Sequence, residues 1–483
     1  MSVFEGFWLP RQPSVRSVGV PIGEMEAEAG LEGPSPARAE DGPTLEYPVL
    51  DRAAATLVVE ELRGQAATLR SLPNEPLVEG LGRAGERFQD PTDPLRQEAE
   101  RWLPLEAGLD PELARQVVEG MAVGWTRSAL GKLVRAEFED PGVLERFRPG
   151  PEGTQVRALG GNFALHVGAG NVPGVGATSL IRSLLVRAPV LLKPGRGDVV
   201  LSVLMCRAIA EECPEIAEAF AVVYWPGGAA PPLEELALEA AERVVAYGGL
   251  DTIATLRARL PVTTPVVGYH HRFSVAAVAK ERLGAGGVAR EAADRMAGAV
   301  TAYDQRGCVS PHLVWIEEGG EVSPREWAAL LAEAFEAIGG RIPSSPRDPA
   351  IAGRIQQLRG LAEMRGAAGF GDMVIAPADS AWTVLYEPEA RLEGGCGGRL
   401  VRVQPVADLS DVPPFLGEVR ELLQSFGLDA SASRRADLAE ALAVAGISRV
   451  SGIDEQPWPR PWSSHDGAGP LRALVRWVTL EGS

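Results

Sequence analysis

Cysteine is scarce in this chain: four residues among 483, with no paired spacing. That excludes a disulfide framework and makes a reducing cytoplasm the expected compartment. Long apolar runs are missing too. The stretch from Gly174 to Val190 is cut by Arg182 and Arg187, and no segment approaches the roughly 20 apolar residues of a membrane span. Met1 to Pro10 has neither a basic lead nor an apolar core, so no secretory signal is expected. Positive charge is short: 47 Lys and Arg against 65 Asp and Glu leave a formal charge of −18. Such a chain repels the phosphates of nucleic acid, so no nucleic-acid partner is expected. A small anionic ligand is still allowed if its basic contacts are local. No Cys, His and carboxylate cluster stands at ligand spacing, so no metal is expected. There is no internal repeat.

What is present has an order. Gly23 to Pro43 is rich in Glu, Ala, Gly and Pro and reads as weakly ordered. Asp51 to Phe147 reads as helical, with "DPELARQVVEGMAVGW" opening on an Asp-Pro start signal. After Gly153 strands and helices alternate. Strands are expected at Phe163–Val167, Pro189–Lys193, Phe220–Tyr224 and Arg243–Tyr247. Helices are expected at Val175–Val186, Val199–Glu212, Leu233–Glu242 and Asp251–Arg259. Short βαβ connections of this kind predict a doubly wound parallel sheet. From Val266 the texture shifts. "TPVVGYHH" and "FSVAAVA" read as strands, a helix follows near Ala289–Ala302, and "RALVRWVTL" reads as a last strand. These shifts predict an N-terminal extension at 1–50 and a first α/β domain, with its leading helices, at 51–265. A second α/β domain is expected at 266–465, part of which returns to the first, and a C-terminal strand at 466–483.

Five short constellations could carry chemistry. "HVGAGNVPG" sits at a strand-to-helix turn, but its glycine spacing and the Lys193 at the end of the next strand do not fit a G-x-G-x-x-G dinucleotide fingerprint. It is a plain turn, or a turn that offers the Asn171 amide as an oxyanion donor. Lys193 closes "VLLK", at the strand end where ligands bind in open α/β sheets. Gly248 and Gly249 end a strand and open a helix, where backbone N–H groups can meet a pyrophosphate. Cys308 lies in the loop "DQRGCVSPH" beside Gly307, unlike Cys206 inside the apolar "VVLSVLMCRAIA". His270 and His271 form a pair at a strand end.

Taken in order, "GNVPG", "LLKPGRGD", "YGGLDTI", "GYHHRFSV", "DQRGCVSPH" and "WSSHDG" resemble the aldehyde dehydrogenase superfamily, and within it the LuxC-like long-chain acyl-CoA reductases. The resemblance runs from about Gly153 to the C-terminus. The 22 residues from Asn171 to Lys193 suit one helix and the next strand of that fold. The resemblance implies two doubly wound α/β domains, one for cofactor and one catalytic, a helical N-terminal segment and a C-terminal oligomerisation strand. It implies that Cys308 is the nucleophile and that Asn171 shares the oxyanion with the Cys308 N–H. His270 or His271 would move the proton. Lys193, Arg196, Gly227, Gly248 and Gly249 would hold the cofactor.

Hydrolytic members carry a water-activating Glu on the strand entering the catalytic domain. Here that strand reads "GYHHRF", without Glu. An acyl-enzyme resolved by hydride needs no such water, so reduction of an acyl thioester is expected. A second, cofactor-positioning Glu is missing from "LVRVQPV". NAD-selective relatives place a Glu three residues after the strand-end lysine; Arg196 stands there instead, so NADPH is the expected cofactor. The expected partners are a long-chain acyl-CoA or other acyl thioester, an acyl-protein synthetase as a supplying protein, and further copies of this chain. The rival readings are a hydrolytic aldehyde dehydrogenase, an acyl-phosphate reductase, and a non-catalytic scaffold for acyl-transfer partners.

Overall fold

The computed structural model describes residues 3–10, 16–22, 43–229, 231–285, 287–393 and 395–482. The segment read as weakly ordered lies, from Gly23 to residue 42, outside the described residues. The chain forms two compact units. The first comprises Met1–His270 and Ala468–Ser483, the second His271–Gly467.

The first unit opens with short strands: β1 (Val3–Glu5), β2 (Phe7–Trp8), β3 (Ser17–Pro21) and β4 (Thr44–Pro48). β4 lies between β1 and β3 in a small sheet. The helical stretch follows. Asp51, Asp93, Asp110 and Thr126 each turn a side chain onto the first turn of the helix they precede, satisfying N–H groups that have no partner within the helix. The first of these helices, Arg52–Gly64, lays Val58, Val59 and Leu62 on the main sheet in one core with Leu165, Leu191 and Ala221.

After β5 (Arg148–Pro149) and β6 (Gln155–Gly160) come β7 (Ala164–Val167), β8 (Val190–Lys193), β9 (Phe220–Val223), β10 (Arg243–Tyr247) and β11 (Val266–Tyr269). The six-stranded sheet runs β11-β10-β7-β8-β9-β2. All its pairings are parallel except that of β2 with β9. The chain steps outward through β7, β8 and β9, then crosses back to β10. The order therefore reverses between β7 and β10, and ligands of open α/β sheets bind at the carboxyl ends of such a pair.

β11 corrects the expected boundary near residue 265. Its four residues pair in parallel with β10 from Val244↔Val266 to Tyr247↔Tyr269, so it belongs to the first unit, and the division falls between His270 and His271. The apolar alternation of "VVGY" is that of an edge strand, and sequence texture alone does not say which sheet it extends.

The second unit contains β12 (Phe273–Val278), β13 (Pro311–Glu317), β14 (Met373–Ile375), β15 (Thr383–Tyr386), β16 (Leu400–Val406), β17 (Leu423–Asp429) and β18 (Val450–Ser451), in the order β14-β15-β16-β13-β12-β17-β18. Only β14 is antiparallel. Every residue of the central β13 is buried, as expected of a strand covered on both faces.

The last segment returns to the first unit as β19 (Val475–Leu480), antiparallel to β6. Two charged side chains hold its approach. Glu137 accepts from the N–H groups of Leu471 and Arg472, both at 2.9 Å. Arg243 donates to the carbonyls of Ala473 and Val475.

Candidate active site

The nine residues singled out from the sequence divide between the units. Asn171, Lys193, Arg196, Gly227, Gly248, Gly249 and His270 lie in the first; His271 and Cys308 lie in the second.

In the first unit the loops after β7, β8, β9 and β10 carry the first six of these residues at the carboxyl edge of the sheet, and His270 follows β11. The β7 and β8 loops are pressed together. A Cβ on Gly170 would stand 1.5 Å from the Arg196 carbonyl oxygen, and one on Gly195 would stand 2.2 Å from the Gly170 nitrogen. Only glycine permits that backbone approach, so the Asn171 turn and the Lys193–Arg196 loop lie in direct backbone contact. Asn171 and Arg196 are both exposed on it. The Lys193 ammonium sits 5.6 Å over the Tyr224 ring. Burial lowers its pKa and the Glu234 carboxylate opposes that shift.

Gly249 is the N-cap of the helix Leu250–Arg259, and no side chain caps it. The Gly248 N–H is already given to the Tyr269 carbonyl at 3.1 Å, so the free donors lie further into the helix. Gly227 is exposed, and a Cβ there would meet nothing within 4 Å. Packing within the chain therefore does not call for glycine at that position. His166, which opens the first motif, is a structural group. It is buried on β7, shares a 2.7 Å hydrogen bond with Ser179 Oγ, and is pushed down to about 3 by burial.

In the second unit Cys308 precedes β13 at the amino edge of the sheet. Tyr303, Asp304 and Gln305 all adopt left-handed backbone, with φ of 54°, 51° and 61°. Non-glycine residues resist that conformation by roughly 1–2 kcal/mol each, so the turn needs fastening. Gln305 fastens it. Its Nε2 donates to the Pro311 and Leu400 carbonyls and its Oε1 accepts from the Leu400 N–H, each at 2.8 Å. Asp304 does the same, accepting from the Ser345 N–H at 2.9 Å and from buried Arg399 at 2.6 Å. Downstream, the Ser274 hydroxyl donates to the Cys308 carbonyl at 2.7 Å and lies 2.8 Å from Ser425 Oγ.

The thiol itself is only partly exposed. Burial pushes it up to about 11, and Asp466 adds to the push. The N–H groups of Cys308 and Val309 and the Arg272 guanidinium pull the other way. Arg272 and Asp466 are paired at 3.2 Å. Two of the other three cysteines are poorer nucleophile candidates. Cys206 and Cys213 are buried, and burial raises both. Among the described residues no group of three or more His, Cys, Asp or Glu could hold a metal ion, and no helix is long and apolar enough to cross a membrane.

Sequence reasoning passed over four residues. Gln305 stands inside "DQRGC", Asp198 inside "LLKPGRGD" and Asp466 inside "WSSHDG", so a signal existed for each. Glu106 had none. It is 7% exposed and gives its carboxylate to the N–H groups of Gly197, Val199 and Val200, and only the fold connects positions so far apart in sequence.

Two open α/β units, glycine-locked loops at the carboxyl edge of one sheet and a fastened cysteine loop at the amino edge of the other define an aldehyde dehydrogenase fold. Solved structures agree. The chain superposes with TM-score 0.70 on an NADP-dependent glyceraldehyde-3-phosphate dehydrogenase from Bacillus halodurans C-125, at 13% identity and 98% coverage of each chain. It superposes with TM-score 0.71 on a salicylaldehyde dehydrogenase from Pseudomonas putida G7, at 12% identity, covering 100% of this chain and 99% of that one. The chain belongs to the acyl-CoA reductase (LuxC) family, whose model matches residues 71–477, and is thereby an oxidoreductase of acyl thioesters. Its relatives include the long-chain acyl-protein thioester reductases of Vibrio harveyi, 24% identical over 86% of this chain and 84% of that protein, and of Photobacterium phosphoreum, 21% identical over 88% and 84%.

Proposed function

We propose that the chain reduces a long-chain fatty acyl thioester to the aldehyde with NADPH, through an acyl group carried on Cys308. The family membership supports the reaction. The observation that supports the nucleophile is the Cys308 loop, where a left-handed turn is fastened by Gln305 and Asp304 and the thiol receives backbone N–H groups.

A nicotinamide cofactor fits the first unit. The uncapped helix start at Gly249 suits a pyrophosphate, and Gly227 leaves open space for a ligand. Lys193 suits the ribose. Arg196, exposed on the loop after β8, can pair a 2′-phosphate in a fork geometry. When bound, the reduced nicotinamide supplies the hydride.

The protein's own steps follow. Cys308 Sγ bonds to the thioester carbonyl carbon as its proton is removed, with His270 or His271 as acceptor. By the family resemblance the Asn171 amide and the Cys308 N–H would donate to the oxyanion; losing one such donor costs about 100- to 1000-fold in rate. The C–S bond to the departing thiol breaks, and that thiol takes up a proton. After reduction the hemithioacetal on Cys308 collapses: its C–S bond breaks, its hydroxyl proton leaves, and aldehyde and free cysteine result.

The test is mass spectrometry after incubation with a long-chain acyl-CoA and no reduced cofactor. An acyl adduct on the Cys308 peptide is expected, absent in Cys308→Ser, which should make no aldehyde yet still bind NADPH. Turnover by Cys308→Ser would overturn the mechanism. Rates with acyl-CoA, aldehyde and acyl phosphate separate the reductase from its rivals. NADPH should exceed NADH in kcat/KM, and Arg196→Glu should narrow or reverse the ratio.

A further inference from the structure

Two buried carboxylates in the first unit have no part in the steps above. Asp198 is 0% exposed and Glu106 is 7% exposed, and among the described residues no cation pairs with either. Each serves backbone N–H groups at the start of a helix. Asp198 accepts from Gly174 and Gly176, both at 2.6 Å, where the helix Val175–Leu185 begins directly after the Asn171 turn. Glu106 accepts from Gly197 at 3.1 Å, Val199 at 2.7 Å and Val200 at 3.0 Å, where the helix Val199–Glu212 begins directly after the Lys193–Arg196 loop.

The contacts form a chain. Glu106, from the helix Pro94–Ala107, grips the β8 loop; Asp198, on that loop, grips the β7 turn. The two loops also interlock through backbone, since a Cβ on Gly197 would stand 2.5 Å from the Gly170 carbonyl oxygen. Elsewhere in this unit Asp51, Asp93, Asp110 and Thr126 cap helices from less buried positions, where the charge keeps its water and costs less to place. A helix start does not need a fully buried carboxylate. Two of them at adjoining loops, both loops bearing site residues, need another reason.

We propose that Asp198 and Glu106 are positioning residues for the reduction, whose carboxylates hold the Asn171 turn and the Lys193–Arg196 loop in one fixed register. This rests on the reading of Asn171 and Lys193 given above. Both carboxylates use both oxygens as acceptors, which only the ionised form does well. Burial pushes Glu106 up to about 7, against its three N–H donors. Burial also raises Asp198 well above its ordinary value, and Glu106 adds to that. Among the described residues no charge but that of Glu106 acts on Asp198, and none acts on Glu106 beside its N–H donors.

Rate and stability then respond to pH in opposite directions. As pH falls through about 7, Glu106 takes up a proton, its hydroxyl oxygen accepts poorly, and the β8 loop loses a hold. The reduction slows. The folded-state value lies above the ordinary 4.5, so between about 4.5 and 7 the folded chain binds more protons than the unfolded one. This group therefore makes the fold more stable as pH falls across that window. A purely structural carboxylate that supports the fold would move both the same way.

The experiment uses the full chain with Glu106→Gln, and Asp198→Asn as the second variant should the first fail to fold. At pH 7.5 the expected result is a kcat with long-chain acyl-CoA at least tenfold lower and an unchanged or higher Tm. The part of the wild-type acid limb that Glu106 sets near pH 7 should be missing in Glu106→Gln. A wild-type kcat with the acid limb retained overturns the proposal, as does a Tm that falls together with the rate. Asn171→Ala is measured beside it. If that variant keeps a wild-type kcat, the reading of the site fails and this proposal with it. If Asn171→Ala is slow and Glu106→Gln is not, only this proposal fails.

Discussion

Burial pushes the Cys308 thiol up to about 11, and the Asp466 carboxylate adds to that push. At neutral pH the resting thiolate is then about one part in ten thousand, by the usual tenfold per pH unit. In the proposed mechanism such a thiol waits for a base to remove its proton as the carbonyl arrives. The consequence can be read by alkylation. The folded value lies above the free one, so the thiolate fraction keeps rising with pH across neutrality. Iodoacetamide labelling of Cys308, followed by peptide mapping, should accelerate about tenfold per unit from pH 7 to about 10. Asp466→Asn removes the repelling charge and frees Arg272 from its pair, and both changes lower the thiol. That variant should label several-fold faster at pH 7.5. A labelling rate that levels off below pH 8 in the wild type would contradict this picture.

At the scale of elements, the cysteine loop depends on a turn that resists its own backbone. Three successive non-glycine residues, Tyr303 to Gln305, are left-handed, and the Gln305 amide answers with three hydrogen bonds to strand ends. Gln305→Ala leaves those buried groups unmatched at about 1–3 kcal/mol and lets the turn relax. Its kcat should fall at least tenfold while NADPH affinity, measured by fluorescence titration, stays within twofold; equal losses in both would mean general unfolding instead. The sequence announced this loop by the placing of Cys308 outside any apolar run, but not its fastening. Two of the three Gln305 bonds go to Leu400 on β16, 95 positions away, and no local pattern encodes that. The same contrast holds throughout. β7 to β10 and their helices were legible, because buried parallel strands read as apolar runs between helical periods. β11 was legible as a strand and not as a member of its sheet. β1 to β4 hold two to five residues each and are too short to leave a period. The buried carboxylate Glu106 left no signal, because a polar residue in sequence is read as surface, and Asp198 was legible only as a member of its motif, not as a buried group.

At the scale of the whole molecule, charge and an open edge oppose one another. β19 is an outer strand of the sheet β19-β6-β5. Its inner side is paired with β6 along all six residues from Val475↔Gly160 to Leu480↔Gln155, and no strand among the described residues pairs with its outer side. Trp477 and Leu480 are 41% and 43% exposed on it. An exposed apolar edge strand invites another chain, and Glu137 and Arg243 hold this one in place rather than letting it fray. We propose that two copies associate through β19. Each carries a formal charge of −18, so bringing them together is opposed by repulsion that salt screens, with a Debye length of about 10 Å at 0.1 M and about 3 Å at 1 M. Association should therefore tighten as salt is added, the reverse of an assembly built on ion pairs. Light scattering at micromolar concentration should report a dimer or larger species. Its dissociation constant should fall between 0.05 and 0.5 M sodium chloride. Trp477→Lys and Leu480→Lys each add charge at that edge; each should give monomer with the Cys308 chemistry retained. A wild-type monomer at every salt concentration, or a dimer untouched by both substitutions, would show that copies of this chain do not meet through β19.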